Sequence, residues 1–160
     1  MRDPHAELPD DPDEPAKARP LHLSPAALGL VAVGGMAGTA ARYAVTLLAP
    51  PRGGWPVATL AVNLVGAFVL GLLLESLARR GSEDDPGGVS RRRLRLVFGT
   101  GFCGAFTTYS ALAVDLDLLL RGGQPATAVG YAATTVIVGF LLCCLGIWFG
   151  ARRPVRGATA

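Results

Sequence analysis

The sequence predicts an all-α membrane protein of four transmembrane helices. Three observations carry this: 51% of the 160 residues are hydrophobic, only 17% are charged, and no charge occurs from Pro125 to Phe149, a run of 25 residues. Roughly 20 apolar residues cross the ~30 Å of hydrocarbon in a bilayer, so this run alone sets the class. A soluble domain of this composition would carry more apolar surface than it could bury.

Three further spans follow when one or two polar residues per helix are allowed, as at positions facing other helices or a water-filled path. They are Ala26 to Leu48, Trp55 to Leu77 and Leu96 to Leu120. Connections of 6, 18 and 4 residues between the spans make neighbouring helices antiparallel within one domain, residues 26–150. Residues 1–25, with Asp10-Asp11-Pro12-Asp13-Glu14-Pro15, mix proline and charge without apolar periodicity and read as a disordered cytoplasmic tail. They lack the basic start and apolar core of a signal peptide, so the first helix is expected to remain in the mature protein. Residues 151–160 form a short basic tail. The stretch Arg79 to Arg93, containing Gly81-Ser82-Glu83-Asp84-Asp85-Pro86, reads as a flexible polar loop.

An even number of spans puts both termini and the middle loop on one side. That side carries 12 of the 15 basic residues and the other only Arg52 and Arg121; Arg42 lies within the first span. The positive-inside rule then places both termini in the cytoplasm of a multi-pass cell-membrane protein. The net charge of +3 sits at helix ends rather than in an aromatic-interleaved patch, which argues for lipid contact and against nucleic acid. Cys103, Cys143 and Cys144 fall inside spans without metal-type spacing, and His5 and His22 lie outside them, so neither disulfides nor a zinc site is expected.

The polar residues inside the spans are the candidate functional groups. In the second span Thr59, Asn63, Gly66 and Leu70 recur at helical spacing. The Asn63 carboxamide either bonds a neighbouring helix as structural glue or turns its N–H donors toward a permeating anion. The third span holds three glycines and four Ser or Thr residues between Gly99 and Ser110. This is poor helix and too polar for lipid, which fits a helix broken near Gly104 to Thr108; a close-packed glycine interface is the alternative. A break exposes carbonyls to a hard cation and N–H groups to an anion. Arg42 either snorkels to the headgroups or concentrates anions at a pore mouth, and Asp115 and Asp117 either pair with it or are simply interfacial. Tyr131, Thr135 and Gly139 form one stripe on the fourth span, for interhelical bonding or a polar track. Gly34-x-x-x-Gly38 and Gly146-x-x-x-Gly150 have the spacing that lets helices touch.

Three runs, in order on successive spans, resemble the Fluc/CrcB family of small fluoride channels. They are Gly34 to Tyr43, Asn63-x-x-Gly66-x-Phe68-x-x-Gly71, and Gly101-Phe102-Cys103-Gly104-Ala105-Phe106-Thr107-Thr108-Tyr109-Ser110. The resemblance implies a passive fluoride channel that lowers cytoplasmic fluoride toxicity, built as an antiparallel dimer with two pores and a structural sodium ion at its centre. By motif position, the sodium falls on the backbone carbonyls of Gly104 and Thr107. The fluoride path falls on Asn63, Thr108, Tyr109, Ser110, Leu112, Tyr131 and Thr135, with Arg42 and Asp115 as the electrostatic pair. The family commonly has Phe-Ser-Thr-Phe where this chain has Tyr109-Ser110-Ala111-Leu112. Leu112 offers an anion no ring edge. The dimer is then a homodimer or, as that gap and the lopsided arginines suggest, a heterodimer with an oppositely oriented paralogue; a non-conducting partner subunit of such a heterodimer is the alternative function. A small proton-coupled antiporter would need a carboxylate in the first span, where the one ionisable residue is Arg42. Enzyme chemistry is not expected, because no nucleophile and base or paired-acid constellation lies within the spans.

Overall fold

A computed structural model describes residues 24–50, 54–79 and 87–152. The order is α1 (Pro25–Leu48), α2 (Val57–Ala78), α3 (Gly88–Leu94), a π-helical stretch (Arg95–Cys103), α4 (Gly104–Phe106), α5 (Tyr109–Arg121) and α6 (Pro125–Arg152). Among the described residues four helical spans are long and apolar enough to cross a membrane, the third running Gly88–Arg121 over 34 residues.

Local chemistry sets most boundaries. Pro25 and Pro125 open α1 and α6, where a missing N–H costs nothing and φ is already helical. Pro56 precedes α2, so this helix starts at Val57, two residues after the expected Trp55. Gly122 and Gly123, the latter at φ 71°, let the chain reverse between α5 and α6, closed by Gln124 N–H donating to the Leu119 carbonyl at 2.9 Å.

Part of the middle loop is helix. Gly88 to Arg93, read from sequence as flexible, forms most of α3. The arginines mark where hydrocarbon ends, but arginine is a good helix former and the backbone continues through the headgroup level. Gly87, at φ 97°, makes the turn into it. At the other end α6 reaches Arg152, whose guanidinium lies 3.5 Å from the centre of the Trp148 ring. The rest of the two predicted tails and the loop centre lie outside the described residues.

Two glycine seams hold the spans together. Gly71 and Gly146 bring α2 and α6 into backbone contact, Gly71 against Cys143 and Gly146 against Phe68. Between α1 and the π-helical stretch, Gly38 lies on the Phe102 carbonyl, and a Cβ on Gly101 would come 2.7 Å from the Val31 carbonyl oxygen. Without a hydrophobic force between helices in lipid, such close approach supplies the van der Waals attraction. The face of α6 that packs inward is a stripe of Ala128, Tyr131, Thr135, Gly139, Gly146 and Gly150. Its other face exposes Val129, Val136, Ile137 and Phe140, an apolar surface that suits lipid.

Candidate ion path at the broken third span

The helix breaks where the glycine and hydroxyl run placed it. Thr107 has ψ 158° and Thr108 has φ −151°, ψ 118°, both extended, between α4 and α5. Asn63 on α2 makes the break stable. Its Nδ2 donates to the Thr108 carbonyl at 3.0 Å, and its Oδ1 accepts from the Thr108 N–H at 2.8 Å. One carboxamide thus satisfies both backbone groups of the residue that left the helix. One turn along α2, Gly66 leaves room for the Thr107 methyl and the Phe106 ring, which accounts for the three-residue spacing from asparagine to glycine.

Thr108 then starts the new helix. Its hydroxyl accepts from the Ala111 N–H at 3.1 Å, an N-cap, and lies 3.2 Å from the Ser110 hydroxyl. In an unbroken helix the amides of Thr108 and Ala111 would serve the carbonyls of Gly104 and Thr107. Asn63 Oδ1 and Thr108 Oγ1 take them instead. The two carbonyls named from sequence for a hard cation therefore lack their helical donors, and Gly104 is exposed, with nothing within 4 Å of where its Cβ would stand. Their oxygens are donors of the kind sodium prefers.

Beside the break is a cavity of about 480 Å³. From α1 it receives Thr39, Arg42, Tyr43 and Thr46, from α2 Thr59 and Val62, and from the third span Thr108, Ser110, Ala111, Val114 and Asp115. Arg42, Thr108, Ser110 and Asp115 of the sequence candidates thus meet in one space. Thr39, Tyr43 and Thr46 were not singled out, although their spacing from Arg42 puts all four on one helical face. Asp115 also borders a second cavity of about 220 Å³ with Gly54, Pro56, Leu118 and Gln124.

The charges are arranged differently from the pairing offered by sequence. Asp117 pairs with Arg121 at 2.7 Å, one turn away on its own helix. Asp115 accepts from the Tyr131 hydroxyl at 3.3 Å. Arg42 has no ion pair among the described residues and keeps its charge on the cavity, where Thr46 donates to its backbone carbonyl at 3.0 Å.

The remaining candidates stand apart from the cavity wall. Tyr131 is fully buried, with its ring edge-on to Trp55 at 6.0 Å. Thr135 is buried, and its hydroxyl donates to the Tyr131 carbonyl at 2.8 Å, the helix-internal bonding open to any threonine. Leu112 packs against the cluster of Leu119, Ala128 and Tyr131. Tyr109 is 83% exposed and touches no other ring among the described residues.

A three-span, three-motif match of this kind has counterparts among known proteins. The family model described as CrcB-like protein, Camphor Resistance (CrcB), matches residues 29–147. The chain belongs to the CrcB family. It is 46% identical over 137 residues to fluoride-specific ion channel FluC 2 of Leifsonia xyli, covering 86% of this chain and 92% of that protein. Over 138 residues it is 45% identical to fluoride-specific ion channel FluC 1 of Cutibacterium acnes, with the same coverage. Fluoride-specific ion channel FluC of Deinococcus radiodurans is 41% identical over 125 residues, or 76% of this chain and 93% of the relative.

Proposed function

We propose that this CrcB-family chain is a subunit of a fluoride-selective channel that exports fluoride passively. The observation carrying the proposal is the cavity beside the break, where Arg42 and a set of hydroxyls converge and, among the described residues, no acid pairs with the arginine. Fluoride is small and strongly hydrated, so a selective path must replace its water with donors while staying narrow. Arg42 raises the local anion concentration. The Ser110 and Thr59 hydroxyls are donors on the cavity wall, and Asn63, which clamps Thr108 at the break, keeps a second N–H. Asp115, held by Tyr131 between the two cavities, repels anions and limits how long one stays.

The working unit is a dimer of oppositely oriented subunits. Support comes from the open side of the cavity, where the lining residue Val114 is exposed in a single chain, and from Tyr109, exposed just past the break in a run that ends in Leu112. A partner's third span would supply the missing ring edge. The 12 to 2 bias of basic residues favours a paralogue as that partner and both termini in the cytoplasm, since a subunit inserting both ways needs balanced loops. A sodium ion fits the carbonyls of Gly104 and Thr107, and when bound it would supply a fixed positive charge that joins the two breaks.

Fluoride-electrode efflux from vesicles containing the chain, alone and with a paralogue, tests conduction. Flux in the mixed vesicles that is lost with Asn63→Asp is expected; equal flux of fluoride and chloride would refute it. Accessibility of tags at both termini tests orientation, and an even split between the two sides would sink the heterodimer.

A further inference from the structure

A separate cavity of about 120 Å³ lies where α1 and the third span begin, at the far end of the glycine seam from the break. Its walls are Ala26, Ala27 and Leu30 of α1 and Val89 and Leu96 of the third span, and Ser24, Arg92 and Arg93 line it as well. Neither Arg92 nor Arg93 has an ion pair among the described residues. The first turn of α1 contains no acid and no side-chain cap, so its amide end adds positive potential to the two guanidinium groups.

We infer that this cavity binds the phosphate of an anionic phospholipid headgroup, with the acyl chains against Leu30, Val89 and Leu96. The chemistry is two-sided. Guanidinium groups match phosphate oxygens in pairs, and basic clusters at the end of a transmembrane helix attract anionic lipid. The apolar walls continue into a helix surface that meets hydrocarbon, which a soluble anion would leave uncovered. Because the π-helical stretch begins at Arg95, a lipid held here braces the α1 seam that positions the break, and this role does not depend on the conducted ion.

Native mass spectrometry of the full chain from micelles doped with equal phosphatidylglycerol and phosphatidylcholine tests the site. Phosphatidylglycerol should be retained preferentially. Arg92→Gln/Arg93→Gln should weaken its retention by roughly thirtyfold, the product of two surface arginine contacts, while Arg92→Lys/Arg93→Lys should keep most of it. Arg79→Gln/Arg152→Gln removes the same net charge from the same side and should leave retention unchanged. Equal loss in that control would reduce the effect to general electrostatics and overturn the site. Two other results would do the same: competition by millimolar inorganic phosphate, marking a soluble-anion site, or a matching gain in lipid binding on deletion of residues 1–23 without any effect of the Arg92/Arg93 substitutions, marking the acidic tail as the occupant.

Discussion

The two halves of the third span solve opposite problems with the same kinds of residue. From Arg95 to Cys103 the backbone presses onto α1 at Gly101, with Gly99, Gly101 and Cys103 buried. From Thr107 onward the hydroxyls terminate one helix, start another and face an open cavity. On α5 Tyr109, Val114 and Leu118 are all more than half exposed. The first half packs its glycines against neighbouring spans, and in the second the Tyr109 ring meets no other ring among the described residues. Small residues close a gap where helices touch, and hydroxyls hold one open where the backbone leaves the helix.

Substitutions separate these roles, beginning with the largest effect. Gly38→Val puts carbon into the Phe102 carbonyl, a backbone contact that cannot rotate away, and should cost about 3 kcal/mol or more. Thermal unfolding in detergent should show this, while Gly104→Ala, whose Cβ meets nothing, should leave the midpoint unchanged or raised. Equal losses at both positions would erase the distinction between the halves. Asn63→Ala strips partners from the Thr108 N–H and carbonyl and should destabilise by about 2–3 kcal/mol. Hydrogen exchange at Thr108 and Tyr109 should speed up in that variant ahead of exchange in the glycine seam.

Smaller effects belong to the cavity. Arg42→Gln should lower fluoride efflux roughly tenfold at low ionic strength, with the gap narrowing as salt screens the charge. A salt-independent loss would mean that Arg42 acts by packing. Asp115→Asn keeps an acceptor for Tyr131, whose bond is long at 3.3 Å, and should change stability by less than about 1 kcal/mol. Unfolding midpoints compared with those of Tyr131→Phe would show whether the bond holds α5 to α6.

Much of the fold was legible because hydropathy and helix period are local. The charge-free run from Pro125 announced α6, and glycines with hydroxyls in a twelve-residue stretch announced the break. Proline and arginine positions shifted edges only slightly: Pro56 delayed α2, and arginines that end hydrocarbon did not end helix at Gly88 to Arg93. The π-helical stretch had no sequence signal, because register within a helix is chosen by what packs on it. Arg42, Thr108, Ser110 and Asp115 line one cavity. The role of Asn63 as a clamp on Thr108 was one of two readings its chemistry allows, and only tertiary geometry shows that two of its hydrogen-bonding groups serve the backbone. Thr135 is buried and Leu112 packs against Leu119, Ala128 and Tyr131, placements not legible beforehand because periodicity names a face but not what lies opposite.

The most direct test is fluoride efflux, with chloride as the control, from vesicles holding this chain together with a paralogue, with and without Asn63→Asp. A carboxylate at that position repels the Thr108 carbonyl and any passing anion; at ~4 Å and an effective dielectric near 20 the like-charge cost is about 4 kcal/mol, roughly a thousandfold in rate. The account predicts fluoride flux far above chloride in the wild type and near-background flux in the variant. Undiminished fluoride flux through Asn63→Asp would contradict it.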